Sequence, residues 1–73
     1  MQNIFAERLK MLRLEYGLSQ SMLADCIGVT RQAIGNYENG KRECGFDVLM
    51  MLAEMFGVTT DFLIGYSDKR KDE

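Results

Sequence analysis

Three times in this 73-residue chain a glycine is followed by an aliphatic residue and then a hydroxyl: Gly17-Leu18-Ser19, Gly28-Val29-Thr30 and Gly57-Val58-Thr59. Glycine readily takes the left-handed backbone that ends a helix, and Ser or Thr supplies the side-chain oxygen that starts one. Each triplet therefore closes one helix and opens the next almost at once. The hydroxyls at Ser19 and Thr30 stand eleven residues apart, which leaves room for a single short helix between two sharp turns. The aliphatic residue before each cap can fold onto the apolar residue five positions later: Leu18 on Leu23, Val29 on Ile34, Val58 on Leu63.

Between these punctuation marks the apolar residues recur at helical spacing. Phe5, Leu9, Leu12 and Tyr16 mark a first helix, with Asn3 placed to cap it; Leu23, Ala24 and Ile27 mark a second. Ala33, Ile34 and Tyr37 mark a third, Leu49, Leu52, Ala53 and Phe56 a fourth, and Phe62, Leu63 and Ile64 a short fifth. There is no proline and no alternating run long enough for a strand, so the expected class is all-α with five helices. A chain of this length forms one domain, here residues 1–66. The charged run 67–73 has no apolar side chain and is expected to be a flexible, solvated tail.

Several function classes drop out at this level. With no histidine and two cysteines, a four-ligand structural zinc site and any Ser-His or Cys-His nucleophile pair are excluded, and no metal or cofactor is expected. No phosphate-cradling glycine loop is present either, so the chain is not read as an enzyme. Cys26 and Cys44 are expected to be reduced structural thiols. The absence of a signal-peptide pattern and of a membrane-length apolar run points to a cytoplasmic chain with no membrane partner. Net charge is −2, but residues 1–42 sum to +2 and residues 43–73 to −4. A molecule polarised in this way can present a basic face to an anion, because charges are screened beyond about 8 Å at physiological salt.

The third helix is the place to look for that face. Two short helices joined by a tight turn form a helix-turn-helix, whose second helix can enter a DNA major groove. From a cap at Thr30, the outward side of the helix carries Arg31, Gln32, Gly35, Asn36 and Asn39, without an acid. Arg, Gln and Asn are the side chains whose paired donors and acceptors match guanine and adenine edges. Lys41 and Arg42 follow at once, where they can meet phosphates. Glu38, by contrast, lies on the inward flank one turn after Ile34, where a lone carboxylate is costly. Arg13 stands one turn after the core residue Leu9, so a bidentate Arg13–Glu38 pair is expected to tie the first helix to the third.

These residues have the spacing of a known family. Arg8-Leu9, Leu12-Arg13, Gly17-Leu18-Ser19-Gln20, Leu23-Ala24, Gly28-Val29-Thr30, Ile34, Glu38-Asn39-Gly40-Lys41-Arg42, Leu49, Leu52-Ala53 and Gly57-Val58 together resemble the Cro/phage-repressor, or xenobiotic-response-element, helix-turn-helix domains. The resemblance covers residues 4–65 and implies a compact five-helix lambda-repressor-like fold, with helices 2 and 3 as the helix-turn-helix and a recognition helix at about Arg31–Asn39. It implies base contacts from Arg31, Gln32, Gly35 and Asn36, and phosphate contacts from Gln20, Tyr37, Asn39, Lys41 and Arg42. For Gln20 the resemblance also allows a bracing role toward the recognition helix, and plain helix-start chemistry is an equal reading. The same Arg13–Glu38 pair is expected on this ground too.

The chain departs from the family pattern at Gly35, where a side chain is usual, and at Cys44-Gly45, which replace Pro-Ser/Thr. Gly inside a helix costs about 1 kcal/mol against Ala, and the loop before the fourth helix should be looser.

The implied function is a sequence-specific DNA-binding transcriptional regulator, a bacterial or prophage repressor that occupies operator DNA as a homodimer. The alternative is an antitoxin-like or accessory protein-interaction module on the same fold. Only the charged tail follows the fifth helix, so no small-molecule ligand is expected. The fourth helix carries more apolar surface than one core face needs: Val48, Met51 and Met55 share a second face. Met51 and Met55, with Phe62, Ile64 and Tyr66, are therefore the candidate dimer interface.

Overall fold

A computed structural model describes residues 3–71. Its elements are α1 (Ile4–Glu15), α2 (Gln20–Ile27), α3 (Arg31–Glu38), α4 (Phe46–Phe56) and α5 (Thr60–Ile64). The caps follow the punctuation. The side chains of Asn3, Ser19, Thr30 and Thr59 each accept from the backbone N–H three residues on, all at 3.0 Å. Only α4 begins without such a bond, on Gly45, in the loop the sequence marked as weaker. The staple residues Leu18, Val29 and Val58 all lie partly buried against the core.

Every helix sends at least one side chain to the centre. Leu9 and Leu12 from α1, Leu23 from α2, Ile34 from α3, Leu52 from α4 and Leu63 from α5 are fully buried. The recognition pair packs together, α1 crosses both α3 and α5, and α4 rests on α5 and α2. One consequence is that α3 is held from behind by two helices while its other side stays open. Among the described residues no helix is long and apolar enough to cross a membrane. No group of three metal-ligating side chains occurs among them either.

The end of the chain differs from the sequence-based expectation. Residues 67–71 turn back toward α1 and bond to it. The Arg8 guanidinium lies 4.2 Å above the Phe62 ring and donates to the carbonyls of Phe62 and Ser67 at 2.5 and 2.7 Å and to the Asp68 carboxylate at 2.7 Å. Arg70 makes a bidentate pair with Glu15 at 3.1 and 2.7 Å, and its carbonyl accepts from the Thr59 N–H at 2.8 Å. The Arg70 guanidinium beside it lowers the Glu15 carboxyl from its ordinary value. Residues 68–71 are exposed, as expected of a solvated run, yet Asp68 and Arg70 also find partners on α1, more than fifty residues away. Asp72 and Glu73, the rest of the expected tail, lie outside the described residues.

Candidate nucleic-acid interface

The left-handed Gly28 ends α2 and Thr30 restarts the chain two residues later, which sets the angle at which α3 leaves the bundle. Burial of Ala33, Ile34 and Tyr37 fixes the rotation of α3 about its axis. That rotation turns Arg31, Gln32 and Asn39 fully outward and leaves Gly35 and Asn36 half-buried on the same side. The four expected base-facing positions are thus brought together on one open face.

Behind them runs a chain of hydrogen bonds from the core to the surface. Arg13 Nε and Nη2 donate to the two Glu38 carboxylate oxygens at 2.6 and 3.0 Å, and Nη1 donates to the Leu18 carbonyl at 2.8 Å. The side chains of Arg13 and Glu38 are only 10% and 4% exposed, so this is a buried pair. The Glu38 hydrogen bond is the main cause that holds the Arg13 guanidinium above its ordinary pKa, with burial opposing it. Gln20 Nε2 donates to Glu38 at 3.2 Å, and Gln20 Oε1 faces Arg31 Nη1 at 3.5 Å, the long limit of such a contact. Gln20 thus stands between Glu38 and Arg31. The Leu18 carbonyl is a partner that no side-chain pattern could have disclosed.

Beyond α3 the chain turns tightly. The backbone N–H groups of Lys41 and Arg42 donate to the Asn36 carbonyl at 3.0 and 3.2 Å, and the Lys41 N–H also reaches Asn39 Oδ1 at 3.1 Å. This leaves the Asn39 amide nitrogen as the group able to donate outward. Lys41 and Arg42 are exposed. The Tyr37 ring belongs to the core, 4% exposed and packed edge-on to Phe5, with the exposed Arg42 guanidinium 6.0 Å from its centroid.

The charge distribution is sharper than the sequence sum. Among the described residues the ion pairs engage Arg8, Arg13 and Arg70, and none of them takes Arg31, Lys41 or Arg42. The three cations around α3 are thus outside these pairs, as are Lys10, Lys69 and Lys71.

Gly35 has an ordinary helical backbone, and a Cβ there would meet only the Gln20 amide, at 3.9 Å. Nothing inside the fold requires glycine. Gly35→Ala is expected to stabilise the domain by about 0.5–1 kcal/mol, seen as a higher denaturation midpoint. A lower midpoint would show that the Gln20 brace cannot tolerate the methyl group.

The expected dimer residues are not brought together. Phe62 is 5% exposed, closed beneath the Arg8 guanidinium, and cannot offer surface. Met55 is partly buried against the core, and Val48, placed on the same second face, is buried. Met51 borders a cleft with Met50 and Glu54, whereas Ile64 lines a different one. Tyr66 is 84% exposed. The cleft containing Ile64 also holds Ile4, Cys44, Phe46 and Leu49. Phe46 and Ile4 are the residues that sequence reasoning missed. Phe46, one turn before Leu49, was given no place in the sequence reading and is 84% exposed. Cys26 is exposed and Cys44 half-buried; burial pushes the Cys44 thiol pKa up.

A family model described as helix-turn-helix matches residues 9–63. The chain is 48% identical over 61 residues to the SPbeta prophage-derived uncharacterized HTH-type transcriptional regulator YonR of Bacillus subtilis, an alignment covering 84% of this chain and 56% of that protein. The chain spans little more than half the length of the first curated relatives it matches. A transcriptional regulator from Listeria innocua superposes with a TM-score of 0.84 at 29% identity, over 100% of this chain and 68% of that one. The P22 c2 repressor, solved in complex with a synthetic operator, superposes with a TM-score of 0.83 over 90% of this chain and 100% of that one. At 23% identity it shows likeness of fold.

Proposed function

The chain belongs to the helix-turn-helix family, and from that premise we propose that it is a sequence-specific DNA-binding transcriptional regulator, a prophage-type repressor, and not an enzyme. The observation that supports this reading best is the outward face of α3. Its acid-free Arg31, Gln32, Gly35 and Asn36 stand on a helix locked from behind by the buried Arg13–Glu38 pair. Arg31 and Gln32 read base edges and Asn36 supports them, while Gly35 contributes close approach of the backbone rather than a side chain. Lys41, Arg42 and the Asn39 amide hold phosphates and set the register. Two copies act together on a two-fold operator, each placing its α3 in the major groove about one helical turn apart.

The test starts with selection of bound sequences from a random DNA pool, followed by gel shifts across salt. Arg31→Ala is expected to lose about 1–3 kcal/mol of discrimination at one base pair while binding unrelated DNA as before. Lys41→Ala should weaken all DNA alike and reduce the salt slope by about one. If the wild-type chain enriches no sequence from the pool, the reading is wrong and a protein-interaction role takes its place.

A further inference from the structure

Gly35 is the anomaly of the α3 face. Glycine weakens the middle of a helix, and the fold gains nothing from it here. Its φ is outside the left-handed region, and a Cβ there would touch only the Gln20 amide, at 3.9 Å, an ordinary contact distance. No backbone from another helix comes within 4 Å of that point. Long polar side chains surround it: Arg31 one turn before, Gln32 and Asn36 beside it, and Asn39 one turn after. A missing side chain within such a ring leaves a notch in the open face of α3.

The polar groups that line the notch already have partners. The Gly35 carbonyl accepts from the Asn39 N–H at 3.0 Å. The Gln20 amide that forms the floor is engaged through both its atoms, Nε2 with Glu38 at 3.2 Å and Oε1 toward Arg31 at 3.5 Å. The group that fits is therefore small and apolar. Base edges in the major groove present hydrogen-bond donors and acceptors and one apolar group, the thymine C5-methyl. A methyl carbon resting on the Gly35 Cα, at a contact distance of about 3.5–4.0 Å, takes the side on which a Cβ of residue 35 would otherwise stand. The flanking residues suit the same base pair, since Gln32 and Asn36 carry the paired donor and acceptor that match adenine, the partner of thymine.

We propose that Gly35 determines specificity through the side chain it lacks: its notch takes the C5-methyl group of a pyrimidine, which in unmodified DNA is thymine. This rests on the DNA-binding reading and adds to it the base that the position selects. Close approach of the backbone alone would be indifferent to that methyl group.

The test uses the site that the wild-type chain selects from a random DNA pool. Each thymine of a half-site is replaced in turn by uracil, which keeps the base pair and deletes only the methyl group. At one position the replacement should weaken binding about fourfold, the value of burying one such group. With cytosine at that position instead, 5-methylcytosine should bind about fourfold tighter than cytosine, which separates the methyl group from the rest of the thymine ring. Gly35→Ala should lose at least about tenfold on the thymine site, where two methyl groups compete for one place, and should prefer the uracil site. A purely structural role for Gly35 would lower both sites alike. A thermal melt verifies that the variant is folded, and the base replacements read the wild-type chain without any mutation.

A selected half-site in which no uracil replacement moves the affinity, or which contains no thymine, would overturn the proposal and leave the DNA-binding reading intact. So would a Gly35→Ala variant that separates thymine from uracil as the wild type does, because the methyl group would then be read elsewhere. A chain that enriches no sequence removes the DNA-binding reading, and this proposal with it, before any base is replaced.

Discussion

Glu38→Ala is expected to lower the melting temperature by roughly 12 °C or more. The Glu38 carboxylate receives three donors, two from Arg13 and one from Gln20, and its side chain is 4% exposed. Truncation leaves the Arg13 guanidinium with the Leu18 carbonyl alone and strands the Gln20 amide. Removing one partner of a buried pair costs about 3–5 kcal/mol, because the remaining charge stays buried without compensation. At about 4–8 °C per kcal/mol for a domain of this size, the loss is large. Total stability on the usual per-residue scale is only about 4–11 kcal/mol, so the variant stands near unfolding at growth temperature. The double variant Arg13→Met/Glu38→Leu separates the two parts of the effect. Apolar replacement of both partners should recover most of the melting temperature. It should not recover base discrimination, because Gln20 then has no anchor from which to hold Arg31. An unchanged melting temperature in Glu38→Ala would mean that the pair is not buried in solution.

The second large effect is expected at Gly65. Its φ of +87° lies in the left-handed region, and a Cβ would meet Ile4 at 2.8, 3.1 and 3.2 Å, including the Ile4 Cβ itself. Two penalties add in Gly65→Ala: about 1–2 kcal/mol of backbone strain and about 1–3 kcal/mol of overpacking against the start of α1. Gly28→Ala is the matched control. Its φ is +72° but no atom lies within 4 Å of the new methyl group, so it suffers the strain alone. Chemical denaturation of both variants should place Gly65→Ala below Gly28→Ala by at least about 1 kcal/mol. Equal losses would show that Ile4 yields freely. The Gly35→Ala variant, expected to gain stability, makes the opposite end of the same scale.

Much of this molecule was legible before any coordinates. The helix boundaries followed from Asn3, Ser19, Thr30 and Thr59 and from glycines placed one helix apart, because each cap acts over three or four residues. The Arg13–Glu38 pair was legible for a related reason. Periodicity placed two opposite charges on core-facing flanks, and burial permits few solutions other than pairing them. The polar side of α3 needed no more than the position of its buried side.

Other residues misled in a consistent way. Phe62 was given a place on a dimer surface, yet it is 5% exposed, since an aromatic body joins the core wherever another helix passes close enough. The charged run after Tyr66 had the composition of a loose tail, but Arg8 and Glu15 stand where its charges can be matched.

By itself, then, the sequence determined where each helix starts and stops, which side of it is apolar, and which polar residues share the open side of α3. Those properties arise from neighbours within one or two turns. Only the tertiary structure decided how far that open side is braced, which aromatic rings close over, where residues 67–71 lie and which cleft is left unfilled. Each of these depends on groups tens of residues apart along the chain, whose distance is set when the five helices pack around Leu9, Leu12, Leu23, Ile34, Leu52 and Leu63.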